Sequence, residues 1–237
     1  MDELLNKANN LYDNGEYSNA IEEYLKIIDI EPENEPAYYN IGNAYFNLGQ
    51  FDSALDAYQK AITLNPSRAK PHNNLGIIYR QRGLWEKAIL EFKTAINIDP
   101  DYFIAFNNLG NTYYSIGSYK DAITSYEQAI KINPAYKNSY YNMGILYSGQ
   151  KEWEKAIECY QKAIDIDKNY ILAHGNLGNA LFYLGKTEKA IEHYHIALKL
   201  DPDYYTARIN LARAYKKTGL INKAATEYQK IFKISSN

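Results

Sequence analysis

The chain is poor in cysteine, in net charge and in long apolar runs, and each shortage excludes a class of protein. Its 237 residues include one cysteine, Cys159, so no intrachain disulfide can form, and we expect a cytoplasmic location. The formal net charge is only −2, so the protein lacks the positive electrostatic field typical of nucleic-acid-binding proteins. No apolar run approaches the ~20 residues that a membrane span needs, and acidic residues follow Met1 where a signal sequence would be basic. We therefore expect a soluble protein that binds neither nucleic acid nor membrane.

Tyrosine is abundant instead, with 25 residues, and the aromatic residues recur with a period of 34. When the chain is written in rows of 34, each row has an alanine at register position 20 and an aromatic residue at position 24. Position 8 is glycine or alanine throughout, and position 32 is proline in five rows. Repetition at this scale predicts a solenoid. The predicted repeats are 1–34, 35–68, 69–102, 103–136, 137–170, 171–204 and 205–237.

Each row has the pattern of two helices. In the second row, Tyr38, Ile41 and Tyr45 have helical spacing, Gly49 interrupts the pattern, and Ala54 resumes it. Glycine at position 15 can adopt the left-handed conformation that ends a helix, and proline at position 32 stops the second helix. The fifth row differs, because lysine occupies position 15 there. Small residues at positions 8 and 20 are expected to let the two backbones approach.

The spacing aromatic-x2-Leu-Gly-x2-Tyr, followed by Ala-x3-Phe/Tyr and proline, resembles the tetratricopeptide repeat (TPR). The resemblance extends over the whole chain. It implies an all-α fold: an α-solenoid in which antiparallel helix pairs form a right-handed superhelix, here as a single domain of residues 1–237. It also implies that the first helices of the repeats line a concave groove that binds a peptide or a partner protein.

Signals for catalysis are weak. Residues 180–187 fit a loose phosphate-loop pattern, but they fall at a predicted helix end, and the strand that such a loop requires is absent. His193 and His195 are two residues apart on a helix and so point to different faces. Cys159 shares its register column with residues of mixed type, which predicts a tolerant surface position. We expect no enzymatic activity, no metal and no cofactor.

Register position 6 is asparagine in every row, although asparagine is a mediocre helix former. In TPR proteins this position faces the groove, where an amide can both donate to and accept from the backbone of an extended peptide. The column resembles the asparagine ladder in the TPR segment of O-GlcNAc transferases. The alternative is that these amides bond within the helix layer. The predicted ladder is Asn6, Asn40, Asn74, Asn108, Asn142, Asn176 and Asn210.

Aromatic and basic residues accompany the ladder on the predicted first helices. The aromatic residues are candidate peptide anchors, or alternatively part of the packing between repeats. Lys70 is the one cation present of the three in the TPR clamp for acidic chaperone tails, so that mode of binding is not expected. We expect three cations near the C-terminus to receive the acidic end of a ligand. The predicted groove residues besides the ladder are Tyr39, Phe46, Tyr114, Tyr141, Phe182, Lys70, Arg213, Lys216 and Lys217.

The predicted function is a non-catalytic scaffold that binds a peptide or partner protein. The alternative is a substrate-recruiting TPR arm of a larger enzyme or of a secretion or assembly machine. Charge is also unevenly distributed: row one has nine acidic and two basic residues, whereas row seven has one acidic and seven basic residues. Ends of opposite charge predict weak head-to-tail self-association, with Ile231 and Phe232 as apolar contacts.

Overall fold

The computed structural model describes residues 2–234, with side chains described as far as Ile231. The described residues form fourteen α-helices and no strands, which confirms the predicted all-α solenoid of stacked antiparallel helix pairs. The helices are α1 (Asp2–Asp13), α2 (Tyr17–Ile30), α3 (Glu35–Asn47), α4 (Phe51–Leu64), α5 (Ala69–Gln81), α6 (Trp85–Ile98), α7 (Phe103–Ser115), α8 (Tyr119–Ile132), α9 (Lys137–Gly149), α10 (Trp153–Ile166), α11 (Ile171–Tyr183), α12 (Thr187–Leu200), α13 (Tyr205–Lys217) and α14 (Ile221–Ile234).

The helices form two compact units, Met1–Ile116 and Gly117–Asn237. Unit 1 contains α1 to α7, and unit 2 contains α8 to α14. The boundary lies in the turn between the two helices of the fourth repeat. Within each unit, a first helix packs against the second helix of its own repeat and against that of the preceding repeat where the unit contains them, as α3 does with α4 and α2.

The helix pairs are held at close range by an aromatic ring that packs on a residue without a Cβ. A Cβ added to Gly42 would lie 2.5 Å from the ring of Tyr58, and one added to Gly178 would lie 2.6 Å from the ring of Tyr194. Both tyrosines are 1% exposed, so the rings form the centre of the core. The small residue at position 8 is therefore required by the ring at position 24, because interiors are close-packed.

The first helices end in a left-handed residue with a fixed hydrogen-bond pattern. Gly49 has a φ of +72°, its N–H donates to the Phe46 carbonyl, and the Gln50 N–H donates to the Tyr45 carbonyl. This pair of bonds is the Schellman motif. Lys151 adopts the same conformation in the fifth repeat, with a φ of +61°. A side chain with a Cβ is strained there by ~1–2 kcal/mol.

We expect Lys151→Gly to raise the free energy of unfolding by about 0.5–1 kcal/mol, because glycine removes the strain while losing more chain entropy on folding. The Lys151 side chain is exposed, so few contacts are lost. The matched control is Gly185→Lys in the sixth repeat, where φ is +84°; it should lower stability. Urea unfolding measures both, and equal shifts in the same direction would contradict this explanation.

Candidate functional site

The predicted groove residues all lie on the first helices of their repeats. We call the surfaces of α1, α3, α5 and α7 in unit 1, and of α9, α11 and α13 in unit 2, the first-helix faces. First helices of adjacent repeats contact each other directly, as α5 does with α7 and α11 with α13. Five of the ladder asparagines bond to the preceding repeat and so lie where one repeat meets the next: Asn40, Asn74, Asn108, Asn176 and Asn210.

A recurring set of three polar residues links neighbouring repeats. The buried Tyr58 hydroxyl donates to Asn43 Oδ1 at 2.9 Å, and Asn74 Nδ2 of the next repeat donates to the same oxygen at 3.0 Å. Burial raises the pKa of Tyr58, which keeps its hydroxyl a donor. The same arrangement occurs as Tyr24, Asn9 and Asn40, and as Tyr194, Asn179 and Asn210. We call these sets the Tyr-Asn-Asn triads.

In the third repeat, apolar residues replace the tyrosine and the bridging asparagine of the triad. Phe92 occupies the tyrosine position and Ile77 the bridging asparagine position, so no buried hydroxyl needs an acceptor. Asn108 then donates 2.9 Å to Asn73 Oδ1, at register position 5 of the third repeat. The residues change together because buried polar groups require partners.

The fifth repeat makes a third arrangement. Ile145 again occupies the bridging position, and the Tyr160 hydroxyl lies 3.1 Å from Ser148 Oγ. Asn176 of the next repeat donates to the Tyr141 hydroxyl at 3.1 Å, again at position 5. In every one of these described interfaces the position-6 asparagine finds an acceptor on the preceding repeat.

These bonds define what the ladder can offer a ligand. Asn108 is buried, Asn6 is exposed, and the other five asparagines are half-buried. One amide N–H of each of Asn40, Asn74, Asn108, Asn176 and Asn210 is directed to the preceding repeat. The carbonyl oxygens differ: Asn74 Oδ1 accepts from Asn73, whereas those of Asn40 and Asn176 accept no hydrogen bond from the residues that the structure describes.

The triad can be tested by transplanting the arrangement of the third repeat. Asn43→Ile should lower the free energy of unfolding by about 2 kcal/mol, because it leaves the buried Tyr58 hydroxyl without an acceptor. Adding Tyr58→Phe should recover about 1 kcal/mol or more, because no hydroxyl remains to be satisfied. Thermal or urea unfolding of the two single variants and the double variant gives the coupling. Additive effects would show that the triad is not a unit.

The predicted aromatic residues lie on the first-helix faces, and their rings also pack against neighbouring side chains. Tyr39 lies 4.2 Å beneath the Arg68 guanidinium, and Tyr141 lies 5.0 Å from Tyr170 between ring centroids. Phe46 packs edge-on against Phe51 across the turn of its own repeat. Tyr114, in α7, is half-buried. These residues therefore contribute to packing, which was the alternative to a role as peptide anchors. Only the part of each ring that stays exposed is accessible to a ligand.

Phe182 and the predicted cations belong to one region of unit 2. The Lys217 Nζ lies 4.5 Å above the centroid of the Phe182 ring, and Arg213 donates to Asn210 Oδ1 at 3.4 Å. Arg213, Lys216 and Lys217 are exposed. Lys70 is exposed on α5, in unit 1.

The histidines contribute to packing between the two helices of a repeat. His174 and His193 meet with 3.1 Å between their Nδ1 atoms, and His174 Nε2 lies 3.1 Å from the Lys168 carbonyl oxygen. Burial lowers the pKa of His193, and His174 lowers it further. His195 points elsewhere, to the Tyr215 hydroxyl at 2.7 Å, as its spacing predicted.

The surface prediction for Cys159 is wrong. The thiol is 6% exposed, and burial raises its pKa to about 12, which leaves it a small apolar group rather than a nucleophile. Its register column, position 23, faces the first helix of the same repeat. Arg208 fills the facing position in the last repeat and forms a buried ion pair of 2.8 Å with Glu227. Mixed residue types in that column reflect different partners, not solvent.

The sequence patterns did not predict a role for the bridging asparagines Asn9, Asn43 and Asn179. A partial signal was present: asparagine at position 9 accompanies tyrosine at position 24 in those rows, and isoleucine accompanies phenylalanine in row three, but rows five and seven pair tyrosine with isoleucine and arginine. The phosphate-loop pattern has no strand before it: it spans the end of α11, the left-handed Gly185 and the start of α12. The described residues include no cluster of three potential metal ligands, and none of their helices is both long and apolar enough to cross a bilayer.

Models of the tetratricopeptide repeat match the sequence in overlapping segments. One of these models alone matches residues 8–49, 77–117, 110–151 and 178–219. Others match residues 36–68, 57–89, 138–170, 159–192 and 205–237. The chain belongs to the tetratricopeptide repeat family.

Solved structures agree with this TPR assignment. The MamA protein is 30% identical, with a TM-score of 0.61 over 72% of this chain and 93% of that chain. Pseudomonas aeruginosa pilF is 19% identical, with a TM-score of 0.76 over 84% and 91%. YrrB, a TPR protein with an unusual peptide-binding site, is 22% identical, with a TM-score of 0.59 over 78% and 95%. The last two support the fold alone. No curated protein matches the chain.

Proposed function

We propose that this TPR chain is a non-catalytic scaffold that binds an extended peptide segment of another protein on its first-helix faces. The observation that carries the proposal is the repeated half-buried asparagine whose carbonyl oxygen has no partner in the described structure, at Asn40 and Asn176. Each of these amides donates to the preceding repeat, Asn176 at 3.1 Å and Asn40 through a long bond of 3.5 Å. A fixed acceptor beside aromatic surface suits the backbone N–H of an extended peptide.

Aromatic neighbours support the same function. On α3, Tyr39 precedes Asn40 and Phe46 follows it by six residues; on α11, Phe182 follows Asn176 by six residues. Their rings are partly exposed and already ordered by packing, so binding would cost little additional side-chain entropy. YrrB, the TPR protein of similar fold, is described as having an unusual peptide-binding site, which is compatible with this proposal. A substrate-recruiting arm of a larger enzyme or machine would use the same surface.

The test is selection of a random displayed peptide library on the wild-type protein, followed by affinity measurement on variants. Asn40→Ala/Asn176→Ala should weaken the selected peptides by about fivefold, because a peptide bound on either unit loses one backbone hydrogen bond. Asn97→Ala/Asn169→Ala is the matched control, since both are exposed asparagines away from the first helices. If the selected peptides bind the Asn40→Ala/Asn176→Ala variant as tightly as they bind the wild type, the peptide-binding proposal fails.

The charge distribution supports weak self-association as a second function. Eight of the nine acidic side chains of the first repeat are exposed, whereas Glu23 is buried and paired with Lys7 and Lys26. At the other end, five basic residues of the last repeat are exposed. Of the two predicted apolar contacts, Ile231 is buried, and the Phe232 side chain lies outside the described residues. The exposed cations are Arg213, Lys216, Lys217, Lys223 and Lys230.

We expect light scattering at low ionic strength to give a mass that rises with protein concentration and returns to the monomer near 0.5 M salt, where the Debye length is only about 4 Å. Exposed charge pairs contribute at most ~1 kcal/mol each, so the association should be weak. A monomer mass at every concentration and at low salt would exclude head-to-tail assembly and leave peptide binding unaffected.

A further inference from the structure

Three aromatic rings in unit 2 form a corner on the protein surface. Trp153 and Tyr183 are stacked, with ring centroids 4.8 Å apart and an angle of 14° between their planes. Phe182 stands at 82° to Tyr183, with centroids 5.8 Å apart. Tyr183 is 64% exposed, although most of its neighbours on α11 are buried. Two rings at nearly a right angle, one of them stacked on Trp153, present an apolar corner.

Cations border this corner directly. The Lys217 Nζ lies 4.5 Å above the Phe182 ring, and Arg213 is one helical turn before Lys217 on α13. Within the described side chains, neither residue forms an ion pair, and neither does the exposed Lys216. Lys217 joins the rings to the other two exposed cations of α13, and we call the set the aromatic-cation patch: Trp153, Phe182, Tyr183, Arg213, Lys216 and Lys217.

Arg213 has a register position that bears on its role. It is residue 9 of its repeat, the position at which Asn9, Asn43 and Asn179 accept a hydrogen bond from the following repeat. A guanidinium has only donors, so Arg213 cannot perform that bridging role. Its fork of N–H groups is suited to a carboxylate instead.

We propose that the aromatic-cation patch binds an acidic peptide segment that carries an aromatic side chain close to its carboxylates. The aromatic side chain occupies the corner between Phe182 and Tyr183, and the carboxylates pair with Arg213, Lys216 and Lys217. This assignment rests on the proposed peptide-binding function and specifies the partner's chemistry at the C-terminal end of the first-helix face in unit 2.

Charge complementarity favours an acidic partner at this place in particular. The last repeat has seven basic residues and one acidic residue, whereas residues 117–204 of unit 2 have ten basic and eleven acidic residues. The positive field is therefore confined to the last repeat. Nucleic acid is disfavoured as the partner, because a three-cation patch provides few phosphate contacts and unit 1 carries a formal charge of −7, with nine basic and sixteen acidic residues.

Fluorescence anisotropy with labelled twelve-residue peptides tests the proposal. The probe peptide contains four glutamates and one tryptophan; its companions replace either all glutamates with glutamine or the tryptophan with serine. The wild-type protein should bind the probe at least about tenfold more tightly than either companion. Lys216→Glu/Lys217→Glu should weaken the probe by about tenfold or more, and Tyr183→Ser by about fivefold.

The matched charge control is Lys162→Glu/Lys189→Glu, which reverses two exposed lysines on second helices of unit 2 and should leave the affinity within about twofold of the wild type. Equal binding of the probe and its glutamine companion would overturn the proposal, as would equal losses in control and patch variants. Tighter binding of a twelve-residue single-stranded oligothymidylate would overturn it in favour of nucleic acid. If library peptides bind the first-helix faces but the probe does not, the acidic partner is wrong and the scaffold function stands.

Discussion

The structure depends on one close contact: in repeats two, three, five and six, an aromatic ring at the middle of the second helix packs on a glycine of the first helix. Gly42 and Tyr58 show the constraint most directly, since a single added carbon would lie 2.5 Å from the ring. This contact fixes the distance between the two helices of a repeat. It also places the tip of the ring near the next repeat, where the core ends and the first-helix face begins.

When the ring is a tyrosine, the contact creates a second requirement. The hydroxyl is drawn out of water and must donate to an acceptor. Asn43 supplies the acceptor for Tyr58 and uses the same oxygen for Asn74 of the following repeat. Core packing is thus coupled to stacking between repeats through one amide. The third repeat shows that the coupling is physical, because Phe92 removes the hydroxyl and Ile77 removes the acceptor.

The same amides connect stability with the proposed recognition. An asparagine whose N–H already bonds to the neighbouring repeat presents its side-chain carbonyl oxygen in a defined orientation. A ligand would therefore meet an ordered acceptor rather than a mobile side chain. Towards the end of unit 2, Arg213 replaces the bridging asparagine, and the surface changes from amides to cations. Within unit 2, a ladder of neutral groups therefore leads to a charged and aromatic patch.

The sequence alone determined the repeat length, the two helices of each repeat, the left-handed glycine at the turn and the membership of position 24 in the core. These features are local or periodic, and seven copies average out the ambiguity of any one segment. Tertiary structure decided what each polar column does. Position 23 is buried against the first helix, the ladder amides bond to the preceding repeat, and Trp153 stacks on Tyr183 although 30 positions separate them. Such pairings depend on which side chains two stacked repeats bring within hydrogen-bond or ring-contact distance. The sequence of one repeat does not specify the distance from its side chains to those of the next repeat.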